Sequence, residues 1–310
     1  MLKQIQGIHH VTSMAADANV NNHFFTKVLG LRRVKKTVNF DRPDVYHLYY
    51  GDEFGTPGSV MTYFPFPNMP MGKHGLGEVG VTCFSVPKNS LDFWQNRFAD
   101  LKVKDLVRTS RFGEDRLEFS GPDGDGFALV EVEDDSRVPW IVDGITEDFA
   151  IRGFHSTSMT LADAGAMQEL LTFMNYERLE ASNGVTRLHV NGGNDAHILD
   201  LVTNQSNRAA EQGAGSVHHI AFAVENRSDQ LEVRKALMDT GYSVTNVIDR
   251  DYFWAIYFRT PGGILFEIAT NEPGFDRDED LRQLGSNLKL PTQHEHLRET
   301  LEEHLQPITD

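Results

Sequence analysis

Two pairs of adjacent histidines, His9–His10 and His218–His219, lead the residues able to bind or move charge. Glu267 follows His219 by 48 residues (267 − 219) and sits in a run as apolar as ILFEIAT. A carboxylate in such a run is costly unless a cation or a donor partners it. Two imidazoles and one carboxylate on a rigid sheet form the donor set that suits non-haem Fe(II) and leaves coordination positions open; Mn(II) tolerates the same N/O ligands. The plain alternative is strand histidines bonded to backbone and a structurally paired glutamate. One isolated histidine would favour that alternative, whereas two matched pairs and a buried glutamate favour a metal.

The elements that must position these residues come as a repeat. Residues 7–12 read GIHHVT and residues 216–222 read SVHHIAF. Each is followed by a helical pattern, Asp17–Leu29 with Phe24, Phe25, Val28 and Leu29 on one stripe, and Ser228–Asp239 with Leu231, Ala236, Leu237 and Met238. Gly30 and Gly241 stand where helices end. A near-identical turn then recurs, TPGSVMTYF at 56–64 and TPGGILFEI at 260–268. Weaker copies lie between. One opens with VGVTCFSV, has a helix at Ser90–Phe98 and closes with GPDGDGFALVEV; the other opens with GFHSTSMTL, has a helix at Asp163–Met174 and closes with HILDLVT. The pattern predicts an α+β protein of four βαβββ units of roughly 50–60 residues each. Such a unit cannot bury its sheet alone, so units pair into two open, cupped mixed sheets with helices outside. Units one and two span 1–140, units three and four span 150–275, and a charged tail with a helix spans 276–310. The strong copies are first and last, so units one and four are expected to form the catalytic cup, with two and three paired in the other.

Strand alternation assigns faces. Ile220, Phe222 and Val224 form an apolar face, leaving His219, Ala221 and Ala223 on the other. Likewise Ile264, Phe266 and Ile268 oppose Leu265, Glu267 and Ala269. His219 and Glu267 therefore point into one concave surface. In the first copy, Ile8, His10, Thr12 and Met14 share a face, and alternation does not choose between His9 and His10. Counting from the matched Thr56 and Thr260 aligns Tyr63 with Glu267.

Composition bounds the rest. Lys plus Arg is 29 and Asp plus Glu is 45, a net charge of −16. That excess disfavours nucleic-acid phosphates and anionic membranes as partners. Forty per cent hydrophobic residues indicate a globular chain. No run of about 18 apolar residues would cross a membrane. The single cysteine, Cys83, lies in an apolar run and reads as core. The N-terminal MLKQIQGIHH lacks an apolar signal segment, and the expectation is a cytoplasmic protein. The tail helix, Thr292–Leu305, reads as solvated or as the edge of a homodimer; His294, His296 and His304 within it lack ligand spacing.

The stretches GIHHVTSMAADA, FFTKVLGLRRVKKTVNF, YHLYYGDEFGTPGSVMTYFP, GSVHHIAFAV and DRDYFWAIYFRTPGGILFEIATNEPGF resemble the vicinal oxygen chelate (glyoxalase) superfamily, and within it the ring-cleaving dioxygenases that act on hydroquinones. The resemblance covers almost the whole chain and implies Fe(II)-dependent insertion of O₂ into a small aromatic diol, a hydroquinone or a catechol, beside a hydroxylated carbon. It implies His10, His219 and Glu267 as iron ligands, settling His10 over His9. It also implies supporting roles for His9, Thr12, His218, Arg250 and Tyr257: His218 as acid–base, with His9 sharing or orienting that role, Tyr257 as hydrogen-bond donor and Arg250 as a fixed cation. Glyoxalase-type members carry a fourth ligand, and Tyr63 is expected at that corner. The alternatives are a metal-dependent glyoxalase-type isomerase or lyase, and a metal-free aromatic-binding resistance protein. Phe64, Phe66, Phe253 and Trp254 are candidate pocket aromatics without an assigned role. His47 and His155 read as structural, with Asp200 a partner for His155 in a vestigial second cup.

Overall fold

The computed structural model describes residues 1–206 and 208–309. Unit one is β1 (Ile8–Ala15), α1 (Ala18–His23), β2 (Arg32–Val38), β3 (Tyr46–Gly51) and β4 (Val60–Pro65). Unit two is β5 (Glu78–Pro87), α2 (Leu91–Asp100), β6 (Lys104–Arg111), β7 (Glu114–Ser120) and β8 (Gly126–Val132). Unit three is β9 (Gly153–Leu161), α3 (Gly165–Phe173), β10 (Tyr176–Ser182), β11 (Val185–Val190) and β12 (Ile198–Thr203). Unit four is β13 (Val217–Val224), α4 (Arg227–Asp239), β14 (Ile248–Asp249), β15 (Phe253–Arg259) and β16 (Leu265–Pro273). The α+β expectation therefore holds, and the strands form two eight-stranded sheets.

The strand orders are β14-β15-β16-β13-β1-β4-β3-β2 and β10-β11-β12-β9-β5-β8-β7-β6. Units one and four share the first sheet, and units two and three the second. The opening strands join each pair: β1 runs antiparallel to β13, and β5 to β9. Each half of the chain contributes one unit to each sheet.

Local chemistry explains the helix ends. Asp17 caps α1 by accepting the Val20 N–H at 2.8 Å. The helix then widens into a π turn at Phe24–Val28, which buries Phe24, Phe25 and Val28. Gly30 follows at φ +73°, a left-handed conformation that favours glycine. In α4 the buried face is Gln230, Val233 and Leu237, while Leu231 and Met238 are exposed, a rotation from the expected stripe. One apolar cluster runs through both sheets. Phe24 and Phe25 meet Phe127 of unit two, and Tyr176 of unit three meets Phe222 of unit four.

The tail departs from expectation. It starts with the 3₁₀ turns Phe275–Arg277 and Leu281–Gln283, and later forms a 3₁₀ turn at Thr292–Leu297 and α5 (Arg298–His304). Leu290, Leu301 and Leu305 are buried in the main core. The Lys289 N–H donates to the Lys36 carbonyl at 2.9 Å, and the Tyr46 hydroxyl to the Gln306 carbonyl at 3.0 Å. The tail is thus a strap on unit one rather than a solvated helix. Its charge run hid three leucines that face inward.

Candidate metal centre and its cavity

The two histidine pairs sit at two β-bulges. In β1 against β13, Ile8 pairs with Phe222 and His10 with Ala221, leaving His9 as an extra residue. Two steps on, Thr12 pairs with His219 and Ser13 with Val217, leaving His218 extra. A bulge re-aims side chains and shifts the alternation by one. Ile8 and Val11 consequently both enter the core, while His10 turns to the concave face. The expected common face of Ile8 and His10 is therefore wrong, because simple alternation takes no account of the inserted residue.

His10, His219 and Glu267 are all buried, and their ligand atoms lie within 4.8 Å of one another. Nε2 of His219 stands 2.8 Å from Glu267 Oε2, Nε2 of His10 stands 3.5 Å from it, and the two Nε2 atoms are 3.4 Å apart. Neither oxygen of Glu267 receives a donor in hydrogen-bond geometry. Burial alone would raise the Glu267 pKa, but His10 and His219 outweigh it and hold the group well below its ordinary value. Burial holds His219 low. A carboxylate and two imidazoles converge without a hydrogen-bonded bridge, which is the donor set of a metal site. The residues fit a divalent metal.

The adjacent histidines set the tautomers. His9 Nε2 donates to the Thr270 carbonyl at 3.1 Å. Burial, then His10, push the His9 pKa down to about 3, so its ring is neutral and Nδ1 is a bare acceptor. His10 Nδ1 lies 2.9 Å away and must donate to it. That leaves Nε2 of His10, facing Glu267, as the atom free to bind a metal. The second pair repeats the contact, with His218 Nδ1 2.8 Å from His219 Nδ1. Burial, then His219, push the His218 pKa down to about 3. At neutral pH His218 is therefore a neutral ring whose Nε2–H faces the cavity, when His219 uses Nε2 as ligand. His9→Leu should cost about ten- to hundredfold in Fe(II) affinity, as loss of a ligand-orienting partner does. Titration of the apo protein with Fe(II) measures this; unchanged affinity would refute the tautomer argument.

The centre opens on a cavity of about 460 Å³, lined among others by Phe40, Phe64, Phe66, Phe253, Arg250 and Tyr257. That volume falls in the range of small-molecule sites. Trp254 is absent from its lining; Arg227 covers that ring. Tyr257 pairs across the strands with Glu267. Burial, then Glu267, push its pKa up and keep the phenol protonated. Arg250 Nε donates to the Tyr257 hydroxyl at 3.3 Å. Its guanidinium lies 5.5 Å from the Tyr257 ring and 5.3 Å from the Phe40 ring. Burial opposes its charge, but Tyr257 and Glu267 outweigh that and raise its pKa.

Tyr63 is not the fourth corner. It is buried in the core against Phe25, and its hydroxyl donates to Asp125 at 2.9 Å. The corner belongs to Thr62. Thr12, two residues after His10, pairs with Thr62, just as Ala221, two residues after His219, pairs with Glu267. Counting from Thr56 was one residue out, and one residue reverses a strand's face. Thr12 is buried behind the centre, where its hydroxyl meets that of Thr62 at 3.0 Å. Thr62 also meets His47 Nε2 at 2.8 Å, and the Tyr49 hydroxyl meets His47 Nδ1 at 2.8 Å. His47 and Tyr49 line the cavity, a placement sequence reasoning missed. Leu48 between them is core, so alternation in YHLYYG carried the signal.

The second cup holds its own cation. Asp200 pairs with Ser158 as Glu267 pairs with Ala221, so it occupies the corresponding position. Its partner is not His155. Arg187 Nε donates to Asp200 at 2.8 Å and Arg187 Nη1 to Glu114 at 2.6 Å; Arg111 also reaches Asp200, at 3.1 Å. His155 contacts Glu114 at 3.2 Å and Ser156 at 3.0 Å. Cys83 is buried, as expected. Among the described residues no helix is long and apolar enough to cross a membrane.

Paired βαβββ units with three donors at the centre of one sheet match the Glyoxalase/Bleomycin resistance protein/Dioxygenase superfamily over residues 7–139 and 152–268, and the chain belongs to that superfamily. It is 40% identical over 309 residues to "Putative ring-cleaving dioxygenase MhqO" of Bacillus subtilis (strain 168), covering 99% of this chain and 98% of that one. It is 34% identical over 311 residues to "Chlorohydroquinone/hydroquinone 1,2-dioxygenase" of Sphingobium indicum, covering 96% and 95%. The crystal structure of "putative dioxygenase from Bacillus subtilis subsp. subtilis str. 168" superposes with a TM-score of 0.95 at 40% identity, covering 98% of each chain.

Proposed function

We propose that this protein is an Fe(II)-dependent ring-cleaving dioxygenase acting on a hydroquinone. The observation that carries the reading is three converging buried donors, with a threonine at the strand register that matches Glu267, opening on an aromatic cavity. The names of the full-length relatives support it. Fe(II) bound by His10, His219 and Glu267 would acidify a substrate hydroxyl and leave a position for O₂; Mn(II) fits the same donors.

The chain's own groups do the rest. His9 holds His10 in the tautomer that presents Nε2. His218, neutral, offers Nε2–H to a substrate or dioxygen-derived oxygen. Tyr257 keeps its phenol proton available at the edge of the centre. Arg250 fixes positive charge where the ring's second oxygen gains electron density. The phenylalanines stack on the ring and keep water away. The reaction adds both atoms of O₂ to the ring and breaks one C–C bond beside a hydroxylated carbon, so no external reductant is needed. The glyoxalase-type alternative is disfavoured because Thr62 is a weak ligand beside a second carboxylate or imidazole. The metal-free alternative leaves the buried Glu267 without a donor.

The test is anaerobic purification, Fe(II) loading, and O₂ uptake with methylhydroquinone, chlorohydroquinone and catechol. The expected result is one O₂ consumed per ring opened, with hydroquinones preferred. No uptake across the panel in iron-loaded protein would overturn the reading.

A further inference from the structure

We propose that Thr292–Gln293–His294 of the tail clips together the two segments that carry Phe40 and Arg250, and so positions the wall that receives the aromatic ring. This inference rests on the function proposed above. The two segments come from opposite ends of the chain. Phe40, Asp41 and Arg42 lie in the loop between β2 and β3, and Arg250 lies in the turn between β14 and β15; all four line the cavity.

The tail bonds both. Gln293 Nε2 donates to the Phe40 carbonyl at 3.0 Å, and His294 Nε2 donates to the same carbonyl at 2.8 Å. One residue earlier, Thr292 donates to the Asp251 carboxylate from both N–H and hydroxyl, each at 3.1 Å. Asp251 follows Arg250 and adopts φ +62°, in the left-handed region that Asp tolerates better than most residues. Arg277, also in the tail, donates to the Asp251 carbonyl at 2.6 Å. The strap behind the clip is itself anchored, through Leu290 and through Lys289 on β2.

Magnitudes decide what sets the spacing. Among the described residues, the direct polar link between the segments is Arg250 to Asp41 at 3.5 Å, and the Asp41 side chain is 79% exposed. An exposed pair at that distance contributes little. The Arg250 guanidinium over the Phe40 ring adds a contact that depends on the ring staying in place. The two donors on the Phe40 carbonyl and the two on Asp251 are the stronger restraints. The tail residues touch neither the metal donors nor the cavity, so they are positioning residues acting through Phe40 and Arg250.

The test uses the full-length chain carrying Gln293→Ala with His294→Ala. The anaerobic affinity of iron-loaded protein for methylhydroquinone should fall about tenfold, the value of one to two net hydrogen bonds. Fe(II) affinity should stay within about twofold, because the donors lie outside the clip. Backbone amides of 40–42, 44 and 45 should lose hydrogen-exchange protection by about tenfold, a readout that needs no substrate. His294→Gln, which keeps a donor, should restore most of the diol affinity. In a Phe40→Leu background the tail variant should add little further loss, since both act on one wall. Unchanged protection at these amides, or equal losses of iron and diol affinity, would overturn the clip. Wild-type protein that holds iron yet binds no diol would instead overturn the proposed function, with the exchange measurement still deciding the clip.

Discussion

Glu267→Gln is expected to abolish Fe(II) retention and ring cleavage together while leaving the apo protein folded. The carboxylate is fully buried, takes no hydrogen-bond donor and faces His10 and His219. A ligand's loss should exceed the ten- to hundredfold that a ligand-supporting partner costs. Stability should move the same way. His10 and His219 hold the ionised Glu267 below its ordinary pKa, so the charge contributes to apo stability and the neutral amide loses that contribution. The apo variant should therefore melt somewhat below the wild-type apo temperature. At an Fe(II) concentration about 100-fold over Kd, binding should add about 2.7 kcal/mol to the wild type and nothing to the variant. Thermal melts with and without Fe(II), read beside metal content, check both halves. A variant that keeps iron and full activity would refute the ligand assignment.

Arg187→Leu should produce the largest loss of stability, at a place with no chemistry. Arg187 is 2% exposed and joins Asp200, 1% exposed, to Glu114. Removing one partner of a buried ion pair strands the other charge, a cost of 3–5 kcal/mol. Arg111 remains near Asp200, which places the expectation at the lower end, about 3 kcal/mol. Urea unfolding measures it; a loss below about 1 kcal/mol would show that Asp200 relaxes to another partner. The pH dependence follows from Glu114. Burial opposes its charge, but His155 and Arg187 outweigh it and hold its pKa down at about 2, against an ordinary 4.5. Its folded pKa is depressed, so its contribution is complete above 4.5 and is lost as pH falls toward 2. The variant should show a shallower loss across that window. Iron affinity in the folded variant should be unchanged.

Much of the site was legible because the chemistry repeats. Two histidine pairs and a glutamate in an apolar strand mark the centre without coordinates, and the pairing of units one and four followed from their likeness. What the sequence hid depends on register. The bulges at His9 and His218 insert a residue without leaving a compositional mark, so the face of His10 could not be read by alternation. Tyr63 and Thr62 exchanged places for the same reason, since strand phase reverses with each residue. His47 and Tyr49 were visible as alternate residues but lacked a histidine partner to draw notice. The tail was hidden by its charges: an exposed face dominates composition even when three leucines on the other side are buried.

The ligands' order along the chain governs how the protein can be made. Units two and three are contiguous, from Glu78 to Thr203, and all eight strands of their sheet come from that stretch. The first sheet is split around them. A ribosome delivers β1 first, yet β13, its antiparallel neighbour, is more than 200 residues away, at Val217. β1 therefore has one edge and His10 without their partners until β13 has been made. It also means that iron cannot be held by all three donors until Glu267 has left the exit tunnel. A chain that stops short of Glu267 lacks the third of the proposed donors, whatever else has folded.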